Sequence, residues 1–173
     1  VGPAIPGVQV AIVDDDDNPL ARNEVGEIAV RGPNIMKGYW NKEAETDEAF
    51  KGGWFHTGDL GFLDQDSYLH IVGRKKEMII ASGFKIFPRE VEEVIHTYPK
   101  VREVAVVGIP DPVRGESPRA YVVPRDGMTI SAEELEEFCR KNLAAFKVPR
   151  SIEIVQTLPR TPSGKILNRI LSR

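Results

Sequence analysis

The chain has 173 residues, 41% of them hydrophobic and 28% charged, with 23 Lys and Arg against 26 Asp and Glu and a formal net charge of −3. This is an ordinary globular mixture for one or two small domains, without the basic excess that would recommend nucleic acid or an anionic membrane as the main partner. One cysteine, Cys139, excludes an internal disulfide framework, and no apolar run or signal-peptide pattern marks a bilayer span or a leader.

The chain opens on Val1, directly into "VGPAIPGVQVAIVDDDD", which reads as the middle of a domain: a turn, a strand over 8–13, then an acidic turn. A piece of a larger protein is therefore expected. Up to residue 72, "VQVAIV", "GEIAVRG", "WFHTGD" and "YLHIVG" carry β-branched and aromatic residues between Gly, Asp and Asn, the pattern of short strands. The polar stretch 41–50 between them predicts a short exposed helix ended by Gly52 and Gly53. This half is expected to form a small twisted sheet or partial barrel.

Gly73-Arg74-Lys75-Lys76 has the composition of a basic, flexible linker or hinge. "MIIASGFKIF" then reads as two apolar strands around Ser82-Gly83, a hairpin whose glycine can adopt φ > 0 and let a ligand approach the main chain. "PREVEEVIHTYP" places Val91, Val94 and Ile95 at helical spacing, with Pro88 in the first turn and Pro99 as a stop. Strands follow at "VREVAVVGI" and "RAYVVP". Ser131 and Glu134 form a capping-box signature ahead of a helix with Leu135, Phe138, Cys139 and Leu143 on one face. "SIEIVQ" alternates like a half-buried strand, and "KILNRIL" suits a last helical turn. The second half is thus a small α+β domain.

Three groups could carry chemistry. Asp59 in "FHTGDLG" follows a Thr-Gly turn at a strand edge; its two oxygens match a ribose diol, and equally a turn that bonds its own backbone. Arg74, fifteen residues on, suits the same sugar or phosphate oxygens, or a solvated surface at a linker. Lys165 lies in "LPRTPSGKILNR", either an ordinary solvated tail or a loop that holds an ammonium over something negative. It lacks the leading glycine of the phosphate-loop pattern. His56 reads as structural, Cys139 as a buried inert thiol, and 14–17 as a solvated acidic turn. No metal-ligand spacing appears.

"GEIAVRGPNIMKGYW", "WFHTGDLG", "GRKKEMIIASGFKIFPREVE" and "LPRTPSGKI", in that order, resemble the adenylate-forming superfamily of acyl-CoA synthetases, peptide-synthetase adenylation domains and luciferases. The likeness covers essentially the whole chain. Within the superfamily, "GYW", "FKVP" and the hinge segment look most like medium- or long-chain fatty acyl-CoA ligases. The resemblance implies residues 1–75 as the last subdomain of a large adenylation domain and 76–173 as a mobile C-terminal lid. By the same resemblance, Asp59 and Arg74 bind the nucleotide, Lys76 is the hinge, and Ser82 and Gly83 line the CoA channel. Phe146 and Lys147 fall where relatives approach CoA, and Lys165 is the adenylation lysine.

The implied substrates are ATP, CoA and a fatty acid. Magnesium would be bound by an upstream part that also holds the phosphate loop, so the chain alone is expected to be inactive. In "LDQDSYL" relatives carry an Asp-Gly turn; here Asp66-Ser67 must turn without glycine. Two alternatives share these motifs: another acyl- or aryl-adenylating enzyme, and a non-catalytic module that binds nucleotide or CoA. The expected setting is reducing and cytoplasmic, and a ligase for long acyl chains is compatible with attachment to a membrane surface.

Overall fold

The β-branched runs in "QVAIV" and "GEIAVR" form the first antiparallel pair of the computed structural model, which describes residues 1–172. Strand β1 (Gln9–Val13) pairs with β2 (Gly26–Arg31) from Gln9↔Arg31 to Val13↔Glu27, burying Ile12, Val13, Ile28 and Ala29. The long strand β4 (Trp54–Leu63) lies beside β2 and also pairs with the two-residue β3 (Phe50–Lys51) and with β5 (Leu69–Arg74), giving a curled five-stranded sheet. The polar stretch forms helix α1 (Glu43–Ala49), with no buried residue. Gly52 and Gly53 do not end it. They turn β3 into β4, both at positive φ (55° and 79°), as a tight two-residue hairpin requires. At the glycine-free turn, Ser67 takes φ 66°, and the Asp64 carboxylate accepts the N–H groups of Asp66 and Tyr68.

The chain divides into two compact units, Val1–Lys76 and Glu77–Arg173. The boundary consists of regular secondary structure. β5 runs through Gly73 and Arg74, and one 3-10 turn, Lys75–Glu77, follows it directly. Lys75 is anchored 3.0 Å from both Glu27 and Asp15.

The second unit is built on a long antiparallel pair, β8 (Val101–Asp111) with β9 (Gly115–Pro124). The hairpin of β6 (Ile79–Ala81) and β7 (Phe84–Ile86) joins β9 at Gly115, and β10 (Ser151–Ile154) runs parallel to β9 from Ser151↔Arg119 to Ile154↔Val122. Helix α2 (Pro88–His96) buries Val91 and Ile95, and α3 (Ala132–Asn142) buries Leu135 and Cys139. Together they close one core over Ile79, Ile86, Val101, Val106 and Val122. Burial pushes the Cys139 thiol up to about 11, so it is inert at neutral pH.

Ser131 caps α3 by accepting the Glu134 N–H at 3.1 Å. The capping box is only half closed, because the Glu134 side chain instead binds Lys100 at 2.8 Å and the Tyr98 hydroxyl. On the sheet's other face Ala105, Val107, Tyr121 and Val123 form a second core with Leu158, Ile166 and Leu171. That segment ends in α4 (Asn168–Leu171), whose Leu171 carbonyl accepts the Tyr121 hydroxyl at 3.0 Å. Among the described residues no helix is long and apolar enough to cross a membrane.

Candidate functional site

In the first unit, Thr57-Gly58-Asp59 forms a bulge. Leu60 pairs with Glu27 and His56 with Ala29, so three residues of β4 face the single Ile28 of β2. Gly58 takes φ 70°, a conformation that costs other residues energy. The bulge is fastened at every step. Thr57 Oγ1 donates to the Ile28 carbonyl at 2.8 Å and accepts the Asp59 N–H at 3.1 Å, while Glu27 Oε1 accepts the Gly58 N–H at 3.1 Å.

Burial works to raise the Glu27 carboxyl, but the hydrogen bond and charge of Lys75, the Gly58 N–H and His56 together hold it below its ordinary value. Lys75 in turn is held up: burial works against its charge, and Asp15 and Glu27 outweigh it. His56 is nearly buried between Glu27 (3.5 Å) and Asp17 (3.7 Å), a structural position.

Past the bulge, Asp59 faces Arg74 in register across β4 and β5, and Asp59 Oδ1 lies 2.7 Å from Arg74 Nε. The two nucleotide-binding candidates therefore meet. Each carboxylate oxygen has two acceptor positions and the guanidinium has further N–H groups, so the pair still offers acceptors to hydroxyls and donors to phosphate. Lys76 is exposed in the 3-10 turn that follows.

The second unit holds the other candidates in two places. Ser82 and Gly83 form the tip between β6 and β7 at φ 50° and 83°, the two positive values of a tight hairpin turn. The Ser82 N–H donates to the Arg114 carbonyl at 2.8 Å, and an added Cβ on Gly83 would meet nothing within 4 Å. Phe84, exposed beside this tip, stacks on Phe146 at 4.6 Å between ring centroids. Lys147 lies 5.5 Å from the Phe146 centroid and is ion-paired with Glu90. Ser82, Gly83, Phe146 and Lys147 thus share one neighbourhood, with Phe146 packed against the helix-side core.

Lys165 is elsewhere. Thr161 and Lys165 close a hairpin: the Thr161 N–H donates to the Lys165 carbonyl at 2.8 Å, the Gly164 N–H to the Thr161 carbonyl at 2.9 Å, and Arg160 pairs with Ile166. Pro162 and Ser163 make the turn, and Gly164 at φ 86° supplies the left-handed residue of a three-residue hairpin loop. That is the local reason for a Gly-Lys pair here. Thr161 Oγ1 accepts the Lys165 N–H at 3.1 Å, and the lysine side chain is exposed.

The hairpin base packs through Ile166 on the tail-side core, opposite the face that Phe146 covers. The two places also lie toward opposite ends of β8. Arg160 reaches Glu103 near its start, whereas the Ser82-Gly83 tip adjoins Asp111–Gly115 at its far end. Asp111 lies eight positions along the extended strand from Glu103, roughly 26 Å at ~3.3 Å per residue.

The threonine-held bulge, the glycine-tipped hairpin and the loop lysine stand on an α+β scaffold, and that scaffold matches the C-terminal part of adenylate-forming enzymes. The AMP-binding enzyme C-terminal domain family matches residues 90–165, and the AMP-binding enzyme family matches residues 1–40. A long-chain-fatty-acid–CoA ligase of Escherichia coli O157:H7 is 44% identical over 171 residues, 99% of this chain and 30% of that protein. A feruloyl-CoA synthase of an Amycolatopsis species is 48% identical over 158 residues, 91% of this chain and 32% of that protein. The crystal structure of ATP-bound MatB from Rhodopseudomonas palustris superposes with a TM-score of 0.95 at 40% identity, covering 99% of this chain and 34% of that one. The chain belongs to the AMP-binding enzyme family. It spans about 30% of the length of the curated relatives it matches.

Proposed function

We propose that this chain is the C-terminal part of an ATP-dependent acyl-CoA ligase acting on a fatty acid, with residues 1–75 closing the adenylation domain and 76–173 serving as its moving lid. In the first half-reaction the fatty-acid carboxylate attacks the α-phosphorus of ATP, pyrophosphate leaves and an acyl-adenylate forms. In the second the CoA thiol attacks the acyl carbon and AMP leaves. Asp59 accepts the ribose hydroxyls, and Arg74 braces its carboxylate while its outer N–H groups face the same nucleotide.

Lys165 bridges the carboxylate and the α-phosphate as negative charge redistributes. A preorganised donor of this kind is worth ~3–4 kcal/mol of barrier in a closed site. Rotation about Lys76 then withdraws Lys165 and brings in the Ser82-Gly83 tip, with Phe146 and Lys147 beside it, for CoA. The upstream part of the protein would supply the acyl pocket. The same upstream part would supply the magnesium ligand.

The separation of Lys165 from the Gly83 tip carries the reading. They occupy opposite faces and distant ends of one sheet, so one reaction centre cannot hold both at once. An enzyme that needs a cation in one step and an open backbone channel in the next gains from such a two-sided lid. Closures of this type run on the μs–ms scale.

The test is ATP–pyrophosphate exchange by the full-length protein with a fatty acid, alongside thioester formation from supplied acyl-adenylate. Lys165→Ala should lower exchange by about 10²–10³-fold and spare thioester formation. Equal loss in both would defeat the assignment. Similarity to a feruloyl-CoA synthase favours a second reading, an aryl substrate. Exchange that responds to a hydroxycinnamic acid and not to a fatty acid would establish it.

A further inference from the structure

We infer that Glu103 and Arg160 are positioning residues for Lys165: an ion pair between β8 and the lysine hairpin that fixes the peptide on which the lysine is mounted. This rests on the reading of Lys165 as the adenylation lysine.

A bulge in β8 creates the pair. Val101 lies opposite Pro124 and Glu103 opposite Val123, so Arg102 is an extra residue in the ladder. In a regular strand Val101 and Glu103 would share a face. With the bulge, Val101 joins the helix-side core, while Glu103 stays in line with Ala105 and Val107 on the tail side, under the hairpin. Bulges commonly re-aim a side chain in this way.

The Arg160 guanidinium bridges outward from there. Nη2 meets Glu103 Oε2 at 2.5 Å and Nη1 donates to the Gly164 carbonyl at 2.6 Å. Glu103 Oε1 also lies 3.5 Å from Arg102 Nε. The Gly164–Lys165 peptide is therefore held at its oxygen by Arg160 and at its nitrogen by Thr161 Oγ1, with the Lys165 carbonyl tied to the Thr161 N–H. Each of these backbone groups at the base of the lysine has a partner, and the lysine side chain is exposed.

Arg160 and Glu103 are 43% and 29% exposed, so the ion pair adds little to folding stability. Its consequence is geometric, because a displacement on the order of 1 Å at a reacting group can cost about a hundredfold in rate. The planar fork matters: arginine reaches two acceptors in fixed directions, whereas lysine presents a compact charge.

The experiment uses the full-length protein with Arg160→Met, Arg160→Lys, Glu103→Gln and Lys165→Ala, each followed in both half-reactions. Arg160→Met should lower the maximal adenylation rate about ten- to a hundredfold. The KM for ATP and thioester formation from supplied acyl-adenylate should stay within about twofold of wild type, the split expected of lost orientation. Arg160→Lys should recover part of the rate, Glu103→Gln should lose less than Arg160→Met, and the double variant Arg160→Met/Glu103→Gln should lose no more than Arg160→Met alone.

Unchanged adenylation in Arg160→Met and Glu103→Gln, with Lys165→Ala inactive, overturns the inference and leaves the function standing. Equal loss of both half-reactions also overturns it, because that marks a folding defect. Full adenylation in Lys165→Ala overturns the reading of the site and this inference with it.

Discussion

The two charged residues at the centre of the proposed chemistry are mounted by the same local device on different scaffolds. Asp59 and Lys165 each follow a glycine at positive φ, and each gives its backbone N–H to a threonine hydroxyl at 3.1 Å, Thr57 in one case and Thr161 in the other. The device aims a side chain out of a turn without using up the side chain itself. What differs is the support. Asp59 is held inside a sheet, between β2 and β5, with its charge already matched by Arg74. Lys165 stands on a hairpin at the surface of its unit, seated on a small apolar cluster and tied down by a solvent-exposed ion pair. A group that binds nucleotide throughout a reaction suits the first support. A group needed for one step suits the second.

That contrast breaks most directly at Asp59. If it holds nucleotide in both steps, Asp59→Ala should raise the KM for ATP by about 10–100-fold, the loss of hydrogen bonds to a charged acceptor worth ~1.5–3 kcal/mol. Use of supplied acyl-adenylate should weaken in parallel. Steady-state titration of each substrate checks both. An unchanged ATP requirement would return Asp59 to a residue that only completes its bulge and pairs with Arg74.

A smaller and more selective effect is expected at Gly83. Its φ of 83° is unfavourable for any residue with a Cβ, although nothing in the unit would touch the added methyl. Gly83→Ala should cost about 1–2 kcal/mol in the second unit, a drop of about 4–8 °C in Tm per kcal/mol for a domain of this size. Thioester formation should slow while ATP–pyrophosphate exchange stays near wild type. If exchange falls as far, the Ser82-Gly83 tip does not belong to the CoA step alone.

How much of this the sequence revealed follows from the range of each interaction. The strands of the first half, the Ser82-Gly83 hairpin, Ser131 as a cap and the helix faces of Val91, Ile95, Leu135 and Cys139 follow from neighbours within a few residues, and all are seen. Gly52-Gly53 misled because a helix end and a hairpin turn ask for the same residue. The basic stretch 73–76 marked the boundary between the units by composition, but not its local form: register with Asp59 and the anchoring of Lys75 make it strand and 3-10 turn.

The site was legible as motifs but not as geometry. Arg160 meets Glu103 across 57 positions, through a bulge no periodicity marks. The placement of Lys165 and Gly83 on opposite faces depends on which strand each hairpin joins. The support given by Thr57 and Thr161 left a fainter trace, a threonine shortly before each Gly-charge pair.

The second unit carries a further charge whose ionisation works against folding. Glu92 on α2 is largely enclosed and accepts the Val106 N–H at 2.8 Å. Burial pushes its carboxyl up from the ordinary 4.5; Glu77 and Glu93 push the same way, and the Val106 N–H and Arg89 oppose them. A carboxyl with a raised folded-state pKa contributes stability that is complete below 4.5 and is lost as pH rises through the raised value. At neutral pH the ionised group is therefore a cost that the sheet and helices offset.

Glu92→Gln keeps an oxygen for the Val106 N–H and removes the charge. The variant should unfold at a higher temperature than wild type at pH 7, and the difference should close as pH falls below 4.5. Thermal midpoints across that range check the sign. A variant less stable at pH 7 would mean that the carboxylate gains more from Arg89 and the Val106 N–H than burial costs it. The contrast with Glu27, whose carboxyl is held down by Lys75, would then disappear.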